Sequence, residues 1–155
     1  MASRVDLHLH TKASDGALRP EELVKAADLI GIRVMAVTDH DSVGGIAEAQ
    51  AAASGLAIEV IPGIEISTNL DGDELHILGY LLDAGDPFLQ KALRRLQEDR
   101  LAQAKAMVER LGTLGCPLEW DRVMAIVNGG SVGRPHIAVA LLERGYVASV
   151  NEAFS

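Results

Sequence analysis

Cysteine is nearly missing: the chain has one, Cys116, among 155 residues. That excludes an intrachain disulfide and a cysteine-built zinc cluster, and it fits a reducing compartment. Cys116 itself reads as a small, buried apolar residue. Basic residues are also short, with Lys+Arg 14 against Asp+Glu 22 and a formal charge of -8. A nucleic-acid duplex therefore finds no general electrostatic footprint here, although a small anionic substrate is compatible if bound cations reverse the field locally. Long apolar runs are lacking too. MASRVDLHLH has no extended apolar segment, and no window approaches the ~20 apolar residues that span a bilayer, which points to a soluble, cytoplasmic protein with no membrane partner. There is no internal repeat and no low-complexity stretch. What is present is 48% hydrophobic side chains, enough for one globular core.

Val5 to His10 alternates apolar and polar residues, predicting a strand with Asp6, His8 and His10 on one face and Val5, Leu7 and Leu9 on the other. Pro20 with Glu21 and Glu22, followed by Leu23, Ala26, Ala27 and Ile30, predicts a helix closed by Gly31. Arg33 to Thr38 reads as a buried strand, and Val43 to Ser54 as an alanine-rich helix stopped by Gly55. Ala57 to Ile61 and Ile64 to Thr68 are strand-like, interrupted by Pro62-Gly63, and NLDGDE turns into ELHILGYLL. This rhythm predicts an α/β fold with parallel strands joined by crossover helices, where ligands gather at the carboxyl ends of the strands. From Asp86 the pattern changes to a long amphipathic helix marked by Leu89, Leu93, Leu96, Ala104, Met107 and Leu111. Lys91, Arg94, Arg95, Arg100, Lys105 and Arg110 interleave with Glu98 and Glu109 and read as its solvated, salt-bridged face. Helices are expected at Trp120 to Val127 and Pro135 to Arg144, with another opening at Asn151. The expected division is 1–85, a metal-binding β/α part, and 86–155, a helical insertion or lobe.

Imidazole nitrogens and carboxylate oxygens are natural ligands of Zn, Mn and Fe when several converge from different elements. His8 and His10, two apart on a strand, project to one side, but a His-x-His pair alone equally decorates a strand. Asp15 equally makes an Asp-Gly turn. His40, in TDHD, equally serves as a structural or solvated residue. Glu65 lies in the apolar PGIEIST, where an unpaired carboxylate is costly and needs a cation or donors. His76 stands in the next apolar strand. Taken jointly these positions point to a metal site. In GRPHIA, Pro135 suits a first helical position, so Arg134 and His136 would flank a helix N-terminus. That arrangement binds phosphate, or is an ordinary cap beside a solvated arginine.

The ordered set DLHLHTKASDG, VTDHDSVGG, PGIEIST and ELHILGY resembles the PHP (polymerase and histidinol phosphatase) superfamily of metal-dependent phosphoesterases. GRPHIA resembles the branch of nucleoside-3',5'-bisphosphate phosphatases and 5'-to-3' exoribonucleases. The resemblance implies a distorted (β/α) barrel, here partial, with up to three divalent ions (Mn, Zn or Fe) at the strand ends. It implies that His8 and His10 hold a first ion and that Glu65 bridges it to a second held by His76. Asp15 and His40 would hold a third, with Arg134 and His136 on the substrate phosphate. The implied reaction is release of phosphate from a nucleotide or a short RNA 5' end by a metal-bridging hydroxide, with no covalent protein nucleophile. The family pattern continues with a late histidine in a His-Pro setting and a final Asp-x-His, which this sequence lacks. A whole barrel also needs about 200 residues or more. The chain is therefore expected to be the N-terminal part of a longer enzyme, or a truncated product. Histidinol-phosphate phosphatase, a polymerase-type exonuclease, and a metal- or phosphate-binding fragment without turnover are the alternatives. A metal-dependent amidohydrolase shares the His-x-His start but would need a barrel lysine and a further histidine pair.

Overall fold

The computed structural model describes residues 4–71 and 73–154. Strands β1 (Val5–Leu9), β2 (Val34–Val37), β3 (Glu59–Leu70) and β4 (Asp73–Tyr80) form one sheet in the order β1-β2-β3-β4. Helices α1 (Pro20–Leu29) and α2 (Ile46–Ala53) are the crossovers between the first three strands, which run parallel as the rhythm predicts. Pro20 opens α1 with its φ already helical, and Glu22 reaches back to the Arg19 N–H at 2.8 Å, satisfying a donor the helix leaves free. Val24 and Ala27 of α1 and Ile46 and Ala49 of α2 bury against Met35, Val37, Ile58 and Val60.

One strand expectation is corrected. Pro62-Gly63 does not interrupt β3: residues 59–62 pair with β2, and from Gly63 onward the strand pairs with β4. The proline's missing N–H thus falls where β3 changes partner, and the Pro62 carbonyl still accepts from Leu81 N at 2.8 Å. A Cβ on Gly63 would lie 2.8 Å from Thr38 Cγ2, so glycine permits the close approach. The fourth strand is antiparallel, because Leu70 and Asp73 pair across a short turn with Asp71 at φ 54°. In a flat sheet, β1 and β4 would lie three spacings of about 4.8 Å apart, farther than one tyrosine spans. Yet Tyr80 of β4 donates to the Leu7 carbonyl of β1 at 2.9 Å, so the sheet curls into a half-barrel.

The remaining chain is helical: α3 (Pro87–Thr113), α4 (Trp120–Val127), α5 (Arg134–Glu143) and a 3-10 turn at Asn151–Phe154. Asp86 caps α3 by accepting from Leu89 N at 2.8 Å. Ala104 and Val108 pack with Val123, Val127, Val132, Ile137 and Ala140 in a second cluster. Cys116 is half-buried rather than buried, in the turn after α3. Among the described residues no helix is long and apolar enough to cross a membrane.

A buried carboxylate ties the ends of β1 and β2 together. Asp39, fully buried, accepts from Thr11 N at 2.6 Å, Thr11 Oγ1 at 2.7 Å and Ser14 Oγ at 2.7 Å. Three donors meet the requirement of a charge withdrawn from water. Gly45 closes over this knot: a Cβ there would lie 2.7 Å from Thr11 Oγ1 and 2.8 Å from Asp39 Oδ2. Gly45→Ala should therefore destabilise the fold by about 1–3 kcal/mol through overpacking. Chemical denaturation measures this, and parent-like stability would contradict the assigned packing.

Candidate metal centre

The expected ligands are delivered by the strands and by the loops at their ends. His8 comes from β1, and its register with β2 breaks between Asp6 and Leu9, an irregularity that aims the strand end. His10 and Asp15 follow in the loop that the Asp39 knot fixes. His40 leaves β2 and forms an isolated parallel bridge with Glu65, with Glu65 N donating to Asp39 O at 3.2 Å and Asp41 N to Glu65 O at 2.9 Å. The backbone itself thus sets His40 beside Glu65. Ser67 pairs with His76 across the hairpin, so Glu65 and His76 are diagonal neighbours.

Glu65 is the hub, 4% exposed. Its Oε2 lies 2.9 Å from His8 Nε2, 3.0 Å from His10 Nε2 and 3.6 Å from His40 Nδ1, and its Oε1 lies 2.7 Å from His76 Nδ1. Asp15 approaches from the other side, 3.3 Å from His10 Nδ1 and 3.7 Å from His40 Nε2. Three triplets of donors each lie within 4.8 Å of one another: His8, His10 and Glu65; His10, Asp15 and His40; and His40, Glu65 and His76. Glu65 belongs to two of these, as a bridging carboxylate must.

The electrostatics suit a cation. Burial pulls the His10 pKa down, but the carboxylates of Asp15, Glu65 and Asp39 outweigh it and the net shift is upward. Burial opposes ionisation of Asp15, yet His10 and His40 hold its carboxyl down at about 2. Glu65 is likewise shifted down against its burial, by the imidazoles of His8, His40, His76 and His10. Burial lowers His40, which favours the neutral ring with a lone pair to offer. The Nδ1 atoms of His10 and His40 are buried without a hydrogen-bond partner. Imidazole nitrogens without a hydrogen bond among ionised carboxylates fit a divalent metal ion, and the three triplets share His10, His40 and Glu65, so six residues supply the donors.

The cluster opens into a cleft of about 520 Å³, where Asp15, His40 and His76 face Arg100, Gly133 and Arg134. Arg134, exposed at the first turn of α5, lines it. His136 is placed differently. Its ring is buried and Nδ1 accepts from Gly133 N at 3.0 Å, while the Ser14 backbone also engages it. Burial moves its pKa down. The ring holds the turn that presents Arg134 and is not among the groups lining the cleft.

Sequence reasoning missed four polar residues. Asp39, Thr11 and Ser14 form the knot under the site, and the signal available was that an acid ending a buried strand needs partners, as at Glu65. Arg100 is not part of a solvated face: its side chain is 15% exposed and ion-paired to the fully buried Asp41.

Residues 6–128 match the PHP domain family. The chain is 40% identical to the 5'-3' exoribonuclease Rnm of Salmonella typhimurium over 96% of its own length and 52% of that protein. It is 35% identical to the 3',5'-nucleoside bisphosphate phosphatase of Chromobacterium violaceum over 98% of its length and 54% of that protein. A solved amidohydrolase structure from Chromobacterium violaceum, with bound sulfate and no metal, superposes with a TM-score of 0.90 at 34% identity, covering 98% of this chain and 54% of that one. The chain thus spans about half the length of the curated relatives it matches. A family match over that span, with relatives at this identity along nearly the whole chain, makes this protein a member of the PHP domain family.

Proposed function

We propose that the cleft is the metal-binding and phosphate-binding half of a phosphohydrolase site that releases phosphate from nucleotides, of the 3',5'-bisphosphonucleotide type or short RNA 5' ends. The observation that carries this reading is the buried Glu65 carboxylate with four imidazoles within 3.6 Å, opening onto a cleft that Arg134 lines. His8, His10 and Glu65 would hold one ion, Glu65 and His76 a second, and Asp15 and His40 a third. Divalent ions in these positions supply Lewis acidity, making water nucleophilic near neutral pH and stabilising charge on the phosphoryl oxygens. The chain's own residues do the rest. Glu65 would keep neighbouring cations together, Asp15 and His40 would hold the side nearest the cleft, and Arg134 would offer a planar fork to a phosphate dianion. His136 holds the Gly133–Arg134 turn at its angle. The chain would divide into a metal-binding β/α part up to residue 85 and a helical lobe from residue 86. The names of the relatives support a nucleotide or RNA substrate.

Three outcomes test the reading. Glu65→Gln should lower the Mn or Zn content per chain by at least one ion and bring phosphate release to background, measured by elemental analysis and a phosphate assay on a 3',5'-bisphosphonucleotide. Full metal content with normal release would contradict the bridge. Arg134→Ala should leave metal content alone and weaken substrate binding about 10- to 100-fold, the value of a charge-assisted hydrogen bond of ~1.5–3 kcal/mol. Metal uptake should release protons. His10 has its pKa raised, so it carries a proton to higher pH than an ordinary histidine and must lose it to ligate, whereas Asp15 at about 2 and the lowered Glu65 are already ionised. Affinity therefore rises with pH through the His10 titration, and calorimetry in buffers of different ionisation enthalpy reads the proton count; uptake with no pH dependence above about pH 6 would contradict it.

A further inference from the structure

Helix α3 engages the sheet at the cleft through two side chains one turn apart. Gln97 donates from Nε2 to the Asp41 carbonyl at 2.8 Å. Arg100 spreads its guanidinium over three segments: Nε donates to Asp41 Oδ2, Nη2 to Ser67 Oγ, and Nη1 to the Val132 carbonyl at 3.0 Å. Each acceptor sits beside a site residue. Asp41 follows His40, Ser67 lies two residues beyond Glu65 on the same strand, and Val132 lies two before Arg134.

Asp41 is held hard from several sides. It is fully buried at φ 50°, a left-handed conformation that non-glycine residues adopt at a cost. Its N–H donates to the Glu65 carbonyl at 2.9 Å, and its Oδ1 accepts from Ser67 N at 2.9 Å. A buried ion pair of this kind is a weak source of net stability, since desolvation offsets most of the attraction, but it fixes geometry. Only a planar fork with donors at fixed angles reaches three acceptors on three segments; an ammonium is a single point.

We propose that Arg100 is a positioning residue that sets the gap between the His40–Glu65 side of the cluster and the Arg134 turn, and thereby the cleft's affinity for phosphate. This rests on the reading that the cleft takes a phosphorylated ligand. The charge of Arg100 is answered by Asp41, so its effect on the anion is exerted through the placement of Arg134.

The test is calorimetric binding of inorganic phosphate to the manganese-loaded chain, with manganese stoichiometry and thermal melting recorded for each variant. Arg100→Lys keeps the charge opposite Asp41 and loses the fork. A second variant, Arg100→Gln with Asp41→Asn, removes both charges, so that no carboxylate is left buried and unpaired. Both should bind phosphate about tenfold more weakly with manganese stoichiometry unchanged. In the Arg134→Ala background, Arg100→Lys should cost less than about twofold more, because the residue it positions is gone. Parent-like affinity in Arg100→Lys overturns the proposal, and so does a full tenfold loss on top of Arg134→Ala, which would mean Arg100 acts on the anion independently. A parent chain that binds manganese but no phosphate overturns the phosphate reading of the cleft and this inference with it, whereas the first two results strike this inference alone.

Discussion

Everything at the strand ends is arranged around one buried carboxylate. Glu65 is 4% exposed, and among the described residues four imidazoles surround its carboxylate within 3.6 Å. A carboxylate withdrawn from water must be compensated, and neutral imidazoles compensate it only where they donate. Divalent cations held by Glu65 and the ring nitrogens would resolve that conflict, and would give a partner to the Nδ1 atoms of His10 and His40, which have no hydrogen bond. The backbone bridge between His40 and Glu65 makes the arrangement a property of the fold and not of side-chain choice.

The fold serves this constraint in layers. Parallel β1 to β3 bring His10 and His40 to adjacent strand ends, and the antiparallel return of β4 adds His76 from the opposite direction. Curling of the sheet, marked by Tyr80 reaching Leu7, turns these groups toward a common centre. Beneath them the Asp39 knot fixes the loop that carries His10 and Asp15, with Gly45 leaving it room. Above them α3 and the Arg134 turn wall the cleft.

Much of this was legible in the residue order. Alternation in Val5 to His10 put both histidines on one face, and the cost of burying Glu65 singled it out. Proline and glycine bounded the helices correctly to within a few residues. The rest depended on partners remote in the chain. Helical periodicity says which face of α3 is polar but not what stands opposite it, so Arg100 read as solvated although Asp41, 59 residues away, was its partner. Asp39 meets its donors 25 and 28 residues back. A strand that changes partner at Pro62-Gly63 looks the same in sequence as one that stops there. His136 was expected on the substrate phosphate by resemblance; that its Nδ1 also accepts from Gly133 N is a contact the residue order does not announce.

The central claim is that Glu65 bridges cations, and anomalous diffraction from crystals grown with manganese or zinc tests it most directly. The account predicts at least two anomalous peaks flanking Glu65, each about 2.0–2.2 Å from a carboxylate oxygen and from nitrogens of His8, His10 or His76. Crystals of the metal-soaked protein with no peak within bonding distance of Glu65 would contradict it.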